Sequence, residues 1–318
     1  MINKKEEFDW IMVMAPFNEE LPAKERTEIA IGLSELIMRI ATHIICHTIV
    51  DNEELFKEER TAIAHAFLQR MTSTHMCNHK LTKEGLAYHY KGLTFQLHEE
   101  YKTMTLTRSV YEHLAMFFFL FEHPQSDMER SVVWNYWKIN SKKNLLDYNA
   151  DGDIDILKEQ EKAKNDINTL REELLSMSLN NTCRRKLGEW TRLEKGPANG
   201  SIEFFLNDGN VDVRKVTYSQ VWKYLFSNEE MTLLYRHLSI HCHPVYNGLV
   251  QYQSQSLTDR GEDALPLYLS CSFLACVCEM FLKQMHLSET VFQHEFNENE
   301  LFAFHALSQV LNYSKEQH

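Results

Sequence analysis

The sequence predicts an all-α protein, an irregular multi-helix bundle with a long charged helical arm. Three observations carry that expectation. Apolar residues recur at spacings of three and four along most of the chain. Glycine and proline are scarce, ten and six in 318 residues. No internal repeat and no convincing run of alternating strands appears. A chain that is 44% hydrophobic and 25% charged can build a sizeable core, which excludes disorder and a disulfide-stapled miniature fold.

The elements follow in order. The segment Phe8 to Phe17 suits a short strand or an amphipathic helical turn equally. Pro22 opens a first helix to about Ile44, with Ile29, Leu33, Leu36, Ile37 and Ile40 on one stripe. A second helix covers Glu53 to Met76 on Leu55, Ile63, Ala66, Phe67 and Met71. A third runs from Thr82 to Phe121 with a break near Gly92. Its later half is apolar all round, as at the centre of a bundle. His123-Pro124 stops it. Ser126 with Glu129 forms a capping box ahead of Val132, Val133, Tyr136 and Trp137.

Asp151-Gly152-Asp153 is a turn. The charged arm then spans Ile154 to Leu193, interrupted near Asn180-Asn181, with a narrow seam of Leu170, Leu174, Met177, Cys183, Leu187 and Trp190. It is expected to pack on the bundle or against a second copy of the chain. Gly196 to Gly200 and Asn207-Asp208-Gly209-Asn210 are the strongest loop signals. They separate residues 1–195 from C-terminal helices in 211–318, expected to join the same bundle. Ser227 with Glu230 opens a helix through Met231, Leu234, Tyr235, Leu238 and Cys242, which Pro244 ends. An apolar helix over Ala264–Met285 and a last one over Glu298–Leu311 complete the chain.

Acidic residues outnumber basic ones 45 to 33, giving a net charge of -12. A field of that sign opposes phosphate backbones and anionic membranes. The densest basic runs, Arg184-Arg185-Lys186 and Lys142-Lys143, are short and read as solvated helix faces. Seven cysteines cannot all pair within one chain, and no CxxC motif occurs. Cys271, Cys276 and Cys278 sit in an apolar run as small hydrophobes. The first residues carry no long apolar stretch, and Phe117–Phe121 is bracketed too closely by Arg108, Glu112 and Glu122 for a membrane span. A reducing cytoplasm, without a membrane partner, is the expectation.

Two stretches place polar residues in apolar helices. In one, Arg108 and Glu112 lie one turn apart among Leu106, Leu114, Phe117 and Phe118. Burying either charge alone is costly, so they pair, as a structural lock or as a preorganised polar site. His113 is rotated about 100° from Glu112 on a helix. In the other, Tyr235 to Pro244, His241 shares a stripe with Leu234 and Leu238. Ser239 and His243 stand one turn apart, yet no nucleophile elbow accompanies them.

His75-x-Cys77-x-His79 and His241-Cys242-His243 are rich in ligand types but match no structural-zinc spacing, and H-E-x-x-H is absent. His75 and His79 read as a surface pair near a helix end. No metal is expected. Glycine-rich phosphate loops are missing too, so no cofactor is expected.

Leu106 to Glu112 and Tyr235 to Pro244 resemble the R-x3-E and Y-x3-S-x3-H-P stretches of an uncharacterised, largely bacterial, all-helical family of unknown function. That resemblance marks Arg108, Glu112, Tyr235, Ser239 and His243 as characteristic positions and implies a helical fold without a known activity. A weaker resemblance is to RNA-cleaving helical domains of the HEPN type, through Arg236-His237-Leu238-Ser239-Ile240-His241. It implies metal-independent cleavage across a dimer interface. Arg236 would stabilise the scissile phosphate, and His241 or His243 would serve as acid or base. Arg108 with His113 has similar spacing. Sixteen histidines make such spacings cheap, and the acidic charge disfavours RNA.

The favoured expectation is therefore a structural or regulatory module that binds a small polar ligand or a protein partner at Arg108, Glu112, Tyr235, Ser239 and His243. A homodimer is the expected assembly. RNA is a partner only under the ribonuclease alternative.

Overall fold

Pro22 stands immediately before the first helix, α1 (Ala23–Asp51), and its carbonyl accepts the Arg26 N–H at 3.1 Å. The computed structural model describes residues 13, 15, 18, 20–51, 56–97, 100–198, 200–225, 235, 236, 238, 239, 264–287, 292 and 295–309. α1 buries Ile37, Ile40, Ala41 and Ile44 and continues past the expected end at Ile44. α2 (Glu59–Glu84) likewise outruns Met76, because Ala64, Leu68, Met71, His75 and Asn78 form one unbroken buried stripe. Gly85, at φ +64°, ends it, and its N–H bonds the Leu81 carbonyl at 3.0 Å.

The predicted third helix is corrected. Its first part is a hairpin of β1 (Leu86–Tyr90) and β2 (Leu93–Leu97), antiparallel, with Tyr90 opposite Leu93. Lys91 and Gly92, at φ 49° and 79°, form the two-residue loop that suits the strand twist. The helix itself, α3 (Glu100–Phe117), begins after it. It widens into a π turn (Phe118–Glu122), where the His123 N–H reaches back five residues to the Phe118 carbonyl at 2.8 Å.

α4 (Asp127–Leu146) starts at Ser126, whose hydroxyl accepts the Glu129 N–H at 3.2 Å. The Glu129 carboxylate returns to the Gln125 N–H at 2.8 Å, one residue earlier than in the usual box. The charged arm is two helices, α5 (Ile154–Ser176) and α6 (Asn181–Trp190). Asn180 divides them by accepting the Cys183 N–H at 2.8 Å. α5 packs along α4, burying Ala163, Ile167, Leu170 and Leu174.

β3 (Ser201–Asn207) and β4 (Asn210–Val216) form a second hairpin around the loop expected at Asn207–Asn210. Asp208 and Gly209, at φ 49° and 78°, make its turn. Gly200, at φ +113°, precedes β3 where any side chain would strike the Val216 carbonyl. α7 (Tyr218–Leu225), α8 (Leu265–Gln284) and α9 (Glu298–Gln309) follow. Among the described residues the protein is predominantly helical, and its sheets are these two hairpins.

The chain divides into two units, one of residues 1–114 with 222–318 and one of residues 115–221. In the first, α8 is the core helix, packed against α1, α2 and α9. It contributes Leu267, Phe273, Val277 and Phe281, all without exposed surface. α1 and α8 are each long and apolar enough to cross a membrane, but 78% of the apolar window of α8 is buried within the protein. The second unit encloses Val132, Tyr136 and Ile139 of α4 with the apolar seam of α5 and the buried Ile202 and Val213 of the hairpin.

Candidate functional site

On α3 the Arg108 Nε donates to Glu112 Oε1 at 2.8 Å, one turn away. The Tyr235 hydroxyl donates to the same oxygen at 3.5 Å, and its ring lies 5.6 Å from the Arg108 guanidinium carbon. Tyr111 backs this arrangement, with its ring 5.1 Å from Tyr235 and 5.6 Å from Phe273 of α8. Burial, reinforced by the Glu112 charge, raises the Tyr235 phenol above its ordinary value, so it stays protonated as a donor.

The pair is neither enclosed nor free in solvent. The Arg108 and Glu112 side chains are 20% and 31% exposed, against 9% for Tyr235. Water therefore shares the solvation of both charges, and Glu112→Ala should cost about 1 kcal/mol rather than the 3–5 of a sealed pair. Denaturant unfolding of the variant measures this.

Three sequence-predicted residues thus converge: Arg108, Glu112 and Tyr235. Ser239 donates its hydroxyl at 2.8 Å to the Tyr235 carbonyl one turn back, and its side chain also borders the Tyr235 phenol. Arg236 is exposed. His241 and His243, and the predicted caps Ser227 and Glu230, lie outside the described residues. His113 turns elsewhere: its Nδ1–H donates to the Ser109 carbonyl at 2.7 Å, and its ring meets Phe67 at 6.0 Å. Burial lowers its pKa. Arg108 and His113 thus engage different neighbours. A groove of about 500 Å3 runs along α1 beside Glu25, Glu28, Ile29, Gly32 and Leu33, and none of the described candidates lines it.

The reading of His75 and His79 as a surface pair is corrected. His75 has no exposed surface. Its Nδ1 lies 2.7 Å from Ser270 Oγ and its Nε2 lies 2.8 Å from Ser34 Oγ. His79 Nδ1 is 2.9 Å from the same Ser34 oxygen. Burial pushes the His75 pKa down to about 3, so the ring is neutral. Cys271 Sγ is 3.9 Å from His75 Nε2, and burial raises its thiol far out of the reactive range. Among the described residues no group of three His, Cys, Asp or Glu side chains is placed to hold a metal.

Two features of the second unit leave no local pattern in the sequence. Glu203 is buried on β3, bonded to Arg214 Nε and 3.6 Å from His123 Nε2. Lys143 is buried on α4 and donates to the Trp190 carbonyl at 3.0 Å, whereas its neighbour Lys142 pairs with Asp166 at 2.6 Å. The solvated face expected at Lys142-Lys143 is therefore half right. Lys186, from the other basic run, is held at 2.7 Å by Asp212.

No curated protein and no solved structure matches the chain. A family model does match, over residues 94–262, a span that contains Arg108, Glu112, Tyr235 and Ser239 and makes up just over half the sequence. The chain belongs to that family, a family of unknown function (DUF5677).

Proposed function

We propose that the protein is a non-catalytic binding module in which the Arg108–Glu112 pair, backed by Tyr235, receives an anionic group of a small polar ligand. The observation that supports this reading is a charge pair held in place on an apolar helix yet left partly open to water. A guanidinium fixed by a carboxylate and an aromatic face is preorganised for a carboxylate or phosphate, since ordering it costs nothing further on binding. Glu112 tunes the site against indiscriminate anions, because any incoming anion must share Arg108 with it.

Inorganic phosphate and acetate serve as probes. Each is titrated into the full chain while thermal unfolding is followed, with Arg108→Gln in parallel. A saturable rise in Tm that the variant loses supports the module. No rise in the wild type, together with RNA cleavage in chelator that disappears in His243→Ala, would replace this reading with the ribonuclease one.

A further inference from the structure

Four side chains form a hydrogen-bonded file from the core of the first unit to its surface. They are Ser270 of α8, His75 of α2, Ser34 of α1 and His79 of α2, at successive separations of 2.7, 2.8 and 2.9 Å. The first three have no exposed surface. His79 reaches the solvent edge, where its Nε2 lies 3.8 Å from Glu35 Oε1. Lys83 Nζ donates to the same carboxylate oxygen at 2.6 Å and holds Glu35 below the usual carboxylate range.

A neutral imidazole carries one N–H and one lone pair, and a hydroxyl carries one hydrogen. The direction of donation at one end therefore fixes every other bond in the file. Glu35 draws the His79 hydrogen to Nε2. His79 Nδ1 must then accept from Ser34, Ser34 must accept from His75 Nε2–H, and His75 Nδ1 must accept from Ser270. The Cys271 thiol, 3.9 Å from His75 Nε2, brings its own hydrogen and leaves this count unchanged.

We propose that His79 is a proton-uptake switch that reverses this file, changing the tautomer of the buried His75 from Nε2–H to Nδ1–H without charging it. A cationic His79 donates from both nitrogens. Its Nδ1–H occupies a Ser34 lone pair, and the Ser34 hydroxyl turns to His75 Nε2. His75 must then carry its hydrogen on Nδ1 and donate to Ser270. One proton is taken from solvent and resides on His79; the His75 hydrogen leaves Nε2 for water and another returns to Nδ1 during transient opening of the helix packing, so His75 and both serines keep their proton counts. The Ser270 hydrogen is left to the carbonyl of Pro266 one turn back, which already accepts from Thr107 of α3 at 2.8 Å.

The groups facing His79 set where this occurs. Burial and Lys83 lower its pKa, while Glu35 of α1 and Glu84 of its own helix raise it, and the balance lies below the ordinary 6.5. His75 stands one turn away on the same helix, and α8 presents the uncharged Ser270 and Cys271. The switch therefore works on the acid side of neutrality.

Long-range 1H–15N spectra of the full chain labelled with 15N-histidine report both rings between about pH 8 and pH 5. The expected result is a neutral His75 throughout, whose protonated nitrogen changes from Nε2 to Nδ1 with the midpoint at which His79 titrates. Glu35→Gln, at an exposed position, should lower both midpoints together by about half a pH unit. A His75 tautomer that stays fixed while His79 titrates would overturn the proposal. So would a His79 that takes up no proton before acid unfolding, or midpoints that move separately in the variant.

Discussion

Arg214→Ala is expected to destabilise the protein by about 3 kcal/mol at neutral pH, well beyond the cost of neutralising its partner in Glu203→Gln. The Glu203 side chain is 2% exposed and the Arg214 side chain 56%. Removing the arginine strands a buried carboxylate beside a neutral imidazole. Removing the carboxylate charge leaves a guanidinium that water can solvate, at about 1 kcal/mol. The order of the two costs matters more than their size.

His123 adds a pH signature. In the wild type, burial outweighs the attraction of Glu203 and Glu129, and its pKa lies below the ordinary value. Without Arg214 the full Glu203 charge acts on His123 and raises that pKa. A raised folded-state histidine contributes stability that is present below the unfolded value and fades as pH climbs through the folded one. The Arg214→Ala deficit should therefore shrink between about pH 7.5 and pH 5.5. Denaturant unfolding at both values checks it. Equal costs for the two substitutions, or a deficit indifferent to pH, would mean that water reaches the carboxylate.

Lys143→Met is expected to stabilise the protein near neutrality and to lose that advantage in alkali. The Lys143 ammonium caps the C-terminal end of α6, where Arg171 also donates to the Gly188 carbonyl at 3.2 Å. Carbonyls at a helix end welcome a cation. Burial and the nearby Lys215 nevertheless lower its pKa to about 8, from 10.5. Below about 8 both folded and unfolded chains hold the proton, and the folded state bears the full cost of about 3 kcal/mol. Between about 8 and 10.5 only the unfolded chain holds it, so wild-type stability climbs with pH.

Methionine removes that cost and forfeits a hydrogen bond worth about 1 kcal/mol. The variant should gain about 1–2 kcal/mol at pH 7 and become the weaker protein by about pH 10. Unfolding in denaturant at both values separates the terms. A loss at both would show that the Trp190 carbonyl needs its donor more than the core rejects the charge.

The helices were legible because their apolar stripes are long, and α8 was placed within a residue at either end. The hairpins were not. Yet Asp208-Gly209 between Ser201–Leu206 and Val211–Val216 is the strongest short-range hairpin signal there is. The alternation of Val211 and Val213 with Asp212 and Arg214 supports it, but a helical frame absorbs the turn as a boundary.

His75 was misplaced for a related reason. Ending the helix at Met76 put it at a surface terminus, although it continues the stripe of Leu68 and Met71 by one turn. Arg108 and Glu112 were found because an i,i+4 pair in an apolar run is a local pattern. Glu203 with Arg214 was missed because its pairing depends on hairpin register, and Lys143 because burial of one lysine beside a surface one leaves no local trace.

The division of the chain has a consequence for synthesis. The second unit is continuous in sequence, whereas the first is assembled from both ends, with α8 arriving only after residue 264. On the ribosome, α1 and α2 emerge first and must wait for the helix that covers them. At typical elongation rates the interval is roughly ten to forty seconds. For that period the apolar flank of α1 is a client for any chaperone that patrols nascent chains, while residues 115–221 are free to fold at once. Truncations short of residue 285 should accordingly aggregate with the N-terminal helices unprotected, however well the inserted unit has formed.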